Sequence, residues 1–113
     1  MNEAGVRKAR QLIKDKRYDD ETAWSKAAPS ASEENAYIDK HGYDGYGEWH
    51  LAIDREASDE TKDRYGFPYG DFKRLNRAGL IHAEQRASQN DHTAVAKAAK
   101  ELLEELDKAR ADR

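Results

Sequence analysis

Three polar side chains able to hold a ligand, Asn76, His82 and Arg86, lie in a stretch rich in alanine and leucine that has the spacing of a helix over residues 72–88. At about 100° per residue, Leu75, Ala78, Gly79, Ala83 and Ala87 share one broad face, and the three polar residues fall inside it. Polar groups on a covered face need partners, because an unmade hydrogen bond there costs roughly 1–3 kcal/mol and an unpaired charge costs more. The structural reading has Arg86 anchoring a loop or an aspartate such as Asp54, with His82 a satisfied core histidine. The functional reading is a small-anion pocket, in which Arg86 offers its planar fork to a carboxylate or phosphate.

A second group sits just upstream. Lys73, Arg74 and Arg77 follow Tyr65, Phe67 and Tyr69, a basic and aromatic pattern of the kind that holds phosphates and stacks bases. Its plainer reading is a solvated cationic face above core aromatics. Ile81 points to the far side of the same helix, between Arg74 and Arg77, so a second surface is expected to cover it. That surface is another segment of this chain or a protein partner.

Other chemistries find no support. His41, His50, His82 and His92 fall in four different expected elements, and no two have the i, i+4 spacing of a helical metal site. The serines lie in no nucleophile elbow, and the glycines of GYDGYG match neither a P-loop nor a dinucleotide fingerprint. The chain has no cysteine, hence no disulfide, thiolate zinc site or thiol nucleophile. No catalytic residue, metal or cofactor is expected, and the balance leans away from an enzyme.

The elements that must carry these residues follow from periodicity and punctuation. Val6, Ala9, Leu12 and Ile13 give a first helix over residues 3–17. Ser30 and Glu33 have capping-box spacing, which predicts a short helix over residues 33–40 closed by Gly42. Gly42, Gly45 and Gly47 predict a turn-rich loop, after which Trp49, Leu51 and Ile53 alternate as an extended segment with one face buried. That segment packs on the helices or pairs weakly with the tyrosine loop. Ser58 to Gly66 suggests a helical turn or two, Pro68 a turn, and Asp71 the cap of the central helix. Thr93 is expected to cap a last helix over 94–110, whose Val95, Ala98, Ala99, Leu102 and Leu106 form an apolar stripe.

The expected fold is therefore mainly α: one small domain over residues 1–113, with a C-terminal antiparallel helix pair and one short extended segment near Trp49–Ile53. The compact core spans residues 45–110, and residues 1–30 are peripheral or flexible. Composition agrees with helices that hide one stripe each, since 37% of residues are apolar and 38% charged. The 20 basic and 23 acidic residues nearly cancel, so no global field recruits nucleic acid or an anionic membrane. The start of the chain is too charged for a signal peptide, no run is long and apolar enough to span a membrane, and the cytoplasm is the expected compartment.

The segment from KDRYGFPYGDFKRLNRAGLIHAEQRASQ to ELLEELD, with GEWHLAID before it, resembles a family of small uncharacterised bacterial proteins. The shared pattern is a Trp-containing extended stretch, an RYxFPxGDF turn, a helix rich in Arg and Ala, and a C-terminal helix. It is more loosely similar to segments of bacteriophage head-maturation proteins, where a turn also precedes an alanine-rich helix. The resemblance implies a bacterial source and no activity. Where that family has His before Arg, this chain has Asn76 before Arg77, which removes a titratable group. The favoured function is a non-catalytic protein–protein interaction module acting through Ile81 and the aromatic turn, its partner and oligomeric state unspecified. A nucleic-acid-associated accessory role using Tyr65 to Arg77 comes second, and an anion pocket or enzyme at His82 and Arg86 third.

Overall fold

The computed structural model describes residues 1–112, and helices make up 61% of it. The capping box forms as the spacing predicts: Ser30 Oγ accepts from the Glu33 amide at 3.1 Å, and the Glu33 carboxylate accepts from the Ser30 amide at 3.0 Å. The helix it starts, α3, runs Ala31–Gly47, well past the expected stop. Gly42 does take a positive φ of 75°, a conformation that suits glycine, but it kinks the helix and does not end it. The tyrosine loop is thus a second helical segment, held by packing: a Cβ on Gly47 would strike the ring of Tyr65.

The first helix, α1 (Glu3–Lys14), buries Val6, Ala9, Leu12 and Ile13. It is not peripheral, against the expectation for residues 1–30. Asn2, 5% exposed, donates from Nδ2 to the carbonyls of Gly47 and His50, and its own amide bonds to Leu51. Gly5 lies so close to the His50 carbonyl that a side chain there would collide with backbone. The helix rests on β2 (His50–Ile53) and on the last helix, α5 (Thr93–Ala111), to which Arg10 bonds through Glu105 at 3.1 Å.

The extended segment finds its partner in β3 (Tyr65–Pro68), antiparallel, with Ala52 opposite Gly66, and not in the tyrosine loop. Both faces of β2 are covered at its start, since Trp49, His50 and Leu51 are all buried. A single 3-10 turn, Lys62–Arg64, capped by Thr61, leads into β3. A second pairing, not anticipated, sets β1 (Tyr18–Asp19) parallel to β4 (Leu75–Asn76).

That pairing relocates the central helix. Residues 72–76 form a turn and then β4, so α4 covers Arg77–Gln89 and not 72–88. Asp71 caps no helix; its Oδ1 accepts from the amides of Lys73 and Arg74 in a turn. Asn76 is the N-cap, its Oδ1 accepting from the Gly79 amide at 2.7 Å. The C-terminal pair then forms as expected: α4 turns at Asn90 and Asp91, and α5 starts at Thr93, with His92 as its N-cap. Leu80, Ala83 and Ala87 of α4 meet Val95, Ala99, Leu102 and Leu106 of α5 in one cluster that also takes in Leu12, Trp49, Leu51, Tyr69 and Leu75. No described helix is long and apolar enough to cross a membrane.

Candidate functional site

The buried face of α4 is formed by Gly79, Leu80, Ala83 and Ala87. His82 and Arg86 flank Ala83 on the exposed edge and not within the buried face, because a helix that starts at Arg77 turns a different stripe inward than one extended back to Phe72. Asn76 leaves this group altogether. It is 1% exposed, bonded through Nδ2 to the Thr22 carbonyl at 2.9 Å as well as to Gly79, and is structural.

His82 and Arg86 nevertheless line a cleft, of about 330 Å³, together with Trp24, Phe67, Pro68 and Ala83. Three elements build it. Trp24 opens the short helix α2 (Trp24–Ala27) and lies flat over Gly79, where a Cβ would approach its ring to 2.7 Å. Phe67, in β3, stands edge-on to His92 with ring centroids 5.2 Å apart. Its backbone holds φ at +58°, a left-handed conformation that is costly for a bulky side chain and that concentrates at functional positions. Ala83 is the small residue at the floor.

Charge distinguishes this cleft. The guanidinium of Arg86 makes no ion pair or hydrogen bond among the described residues, so the expected internal anchor, to Asp54 or a loop, is not there. No carboxylate among the described residues lines the cleft. A larger cavity of about 430 Å³ opens beside the start of α1, but its Arg7, Arg55 and Arg64 stand among Glu3, Asp44 and Glu48. Those charges offset one another, and the smaller cleft is the better candidate.

The basic and aromatic group does not assemble. Tyr69 is fully buried, its hydroxyl 2.7 Å from the Glu48 carbonyl and 3.2 Å from that of Gly5, and burial raises its pKa far above the usual phenol range. Tyr65 lies elsewhere, packed on Gly47 and edge-on to Tyr46. Arg77 is committed to Asp107 by two bonds of 2.8 and 3.1 Å, which hold the carboxyl below the ordinary aspartate value. Arg74 faces Asp19 and Asp71 at 3.8 and 3.7 Å. Only Lys73 is left exposed without a carboxylate at ion-pair distance among the described residues. Ile81 is half-buried, outside both the core cluster and the cleft.

Trp24, a wall of this site, was not singled out from the sequence. The pairing of Trp24 with a glycine, Gly79, on the opposing helix was the available signal, though it is visible only once the two are known to meet. Among the described residues no three His, Asp or Glu side chains gather to hold a metal. Comparison with protein-family models, with curated proteins and with solved structures gives no match to this chain.

Proposed function

We propose that this protein is a non-catalytic binding module whose docking site is the cleft between α2, β3 and α4. The observation that carries the reading is the unpaired Arg86 guanidinium at the edge of an aromatic-walled cleft with no carboxylate in its lining. Amphipathic walls beside a single charged group are the composition of a recognition pocket, where apolar contact supplies affinity and the polar group orientation. Among the described residues His82 has no carboxylate or hydroxyl partner of the kind that makes an imidazole a base or relay, which favours binding over a reaction. The protein-interaction reading thereby moves from Ile81 to the walls formed by Trp24 and Phe67. A nucleic-acid role draws no support, since Arg74 and Arg77 are engaged with aspartates.

Selection from a displayed library of random peptides tests it. We expect enriched peptides that bind the unmodified protein, lose most of that affinity to Phe67→Ala, and keep it toward the distant surface variant Lys100→Ala. Absence of any enrichment, or peptides indifferent to Phe67, would refute the assignment.

A further inference from the structure

Resting on that reading, we propose that the occupant is an extended segment of a partner protein in which a side-chain carboxylate neighbours a bulky apolar residue. The carboxylate meets Arg86, and the apolar side chain lodges between Trp24, Phe67 and Pro68.

Charge complementarity chooses the carboxylate. The guanidinium groups of Arg7 and Arg55 likewise make no ion pair or hydrogen bond among the described residues, but both share their cavity with three acidic side chains. Arg86 alone of the three faces a lining without an acid, so the anion it matches must come from outside. A guanidinium presents parallel N–H groups that fit the two oxygens of a carboxylate. A phosphate would be poorly served. It carries close to two charges, and one arginine with one imidazole is a thin counter-charge for it, on a chain whose net charge is −3. For the same reason a polyanion such as nucleic acid is disfavoured as a whole.

Size chooses a peptide segment over a folded surface. At about 330 Å³ the cleft lies at the small end of ligand pockets, which run from roughly 300 to 1,000 Å³, and it admits one large side chain and little else. The walls choose the apolar neighbour: Trp24 and Phe67 are each only half-buried, and Pro68 is exposed with no backbone N–H to satisfy. An apolar side chain entering there covers the remaining ring surface of both aromatics while the Arg86 end stays wet. Phe67 is already held at positive φ with its ring braced against His92, so the wall exists before the ligand arrives.

The test uses the peptides enriched in the selection above. Each is synthesised in its own form and with every Asp or Glu replaced by Asn or Gln, and titrated into labelled protein while the indole N–H resonance of Trp24 is followed; Trp24→Phe assigns that resonance. We expect amide replacement to weaken binding about ten-fold or more. Toward Arg86→Gln protein, acidic and amide peptides should bind equally, which places the coupling on this pair, and Arg86→Lys should restore part of the difference. Both variants change an exposed side chain, so neither should alter the fold. Sodium acetate and inorganic phosphate, titrated alone, should leave the Trp24 resonance in place at peptide-saturating concentrations. Equal binding of acidic and amide peptides would overturn the carboxylate while leaving a binding module. A phosphate response matching that of the peptide would make the site one for small anions. A concentration-dependent shift without peptide would make the occupant a second copy of this chain. Failure of every peptide to move Trp24 would remove both the inference and the function on which it rests.

Discussion

His50 stands out among the side chains because an imidazole, polar at both ring nitrogens, is only 3% exposed. Its Nδ1 lies 3.0 Å from the Tyr46 carbonyl, and the rings of Tyr46 and Tyr65 sit against it at 4.5 and 5.9 Å. Burial disfavours the charged form and lowers its pKa from 6.5 to about 4. The unfolded chain therefore takes up a proton as pH falls through about 6.5, and the folded chain does not until about 4. Stability is full above pH 6.5, declines from there to pH 4, and by linkage loses on the order of 3 kcal/mol. Urea titrations at a series of pH values should show that slope, and His50→Phe should flatten it while lowering the plateau, since the Tyr46 carbonyl loses one of its donors and keeps the Trp49 amide. An unchanged slope in the variant would assign the acid sensitivity between pH 6.5 and 4 to a group other than His50; Asp19 and Asp107, held below the ordinary 3.8, lose their contribution only below that window. At this scale, residue type was more legible than residue role. Asn76 reads from the sequence as a polar residue that must be satisfied, and it is; that it caps a helix instead of lining a pocket depends on where the helix starts. Arg86 is the converse, with the correct neighbour in His82 and the opposite burial.

Elements whose signals are local were readable. The capping box of α3 and the turn between α4 and α5 rest on contacts within a few residues, and the apolar stripe of α5 is legible from its spacing alone. Those set by distant partners were not. The second half of α3 is helical through Gly45 and Gly47 because Tyr46 and Gly47 pack into the interior, which outweighs about 1 kcal/mol per glycine of poor helix propensity. Residues 72–76 have helical spacing yet form β4, because Leu75 and Asn76 pair with Tyr18 and Asp19 some 57 positions earlier. The short apolar stripe of α1 suggested an outlying helix, whereas Asn2 and Gly5 seat it against β2 with contacts that span more than 40 residues. Deleting residues 1–16 should accordingly abolish cooperative thermal melting, because it strips four apolar side chains from the core cluster and leaves the carbonyls of Gly47 and His50 without a donor. A truncated protein that still melts in one sharp transition would mean that β2, β3, α4 and α5 fold without it.

At the scale of the molecule, the core is a single thin cluster to which α1, both strand pairs, α4 and α5 all contribute. Leu102 is fully buried in this cluster, so Leu102→Ala should cost about 2–5 kcal/mol, a large part of the 5–15 typical of a whole domain. A midpoint change in urea corresponding to less than 1 kcal/mol would show α5 to be loosely docked. Charge closes the same structure on its outside: Arg110 bonds Asp20 at 2.7 Å and Asp107 at 2.9 Å, and Asp107 in turn holds Arg77. Such half-buried surface pairs add modest stability singly, and they fix which ends meet. The Asp20–Arg110 bond joins residues 90 apart, and α1 likewise waits on α5 for its apolar cover. During synthesis, then, the first helix leaves the ribosome with its apolar stripe bare and no lasting place to put it. Once β2 emerges it covers part of that stripe, but the rest stays bare until α5 has been translated, so completing the core depends on closing a long loop.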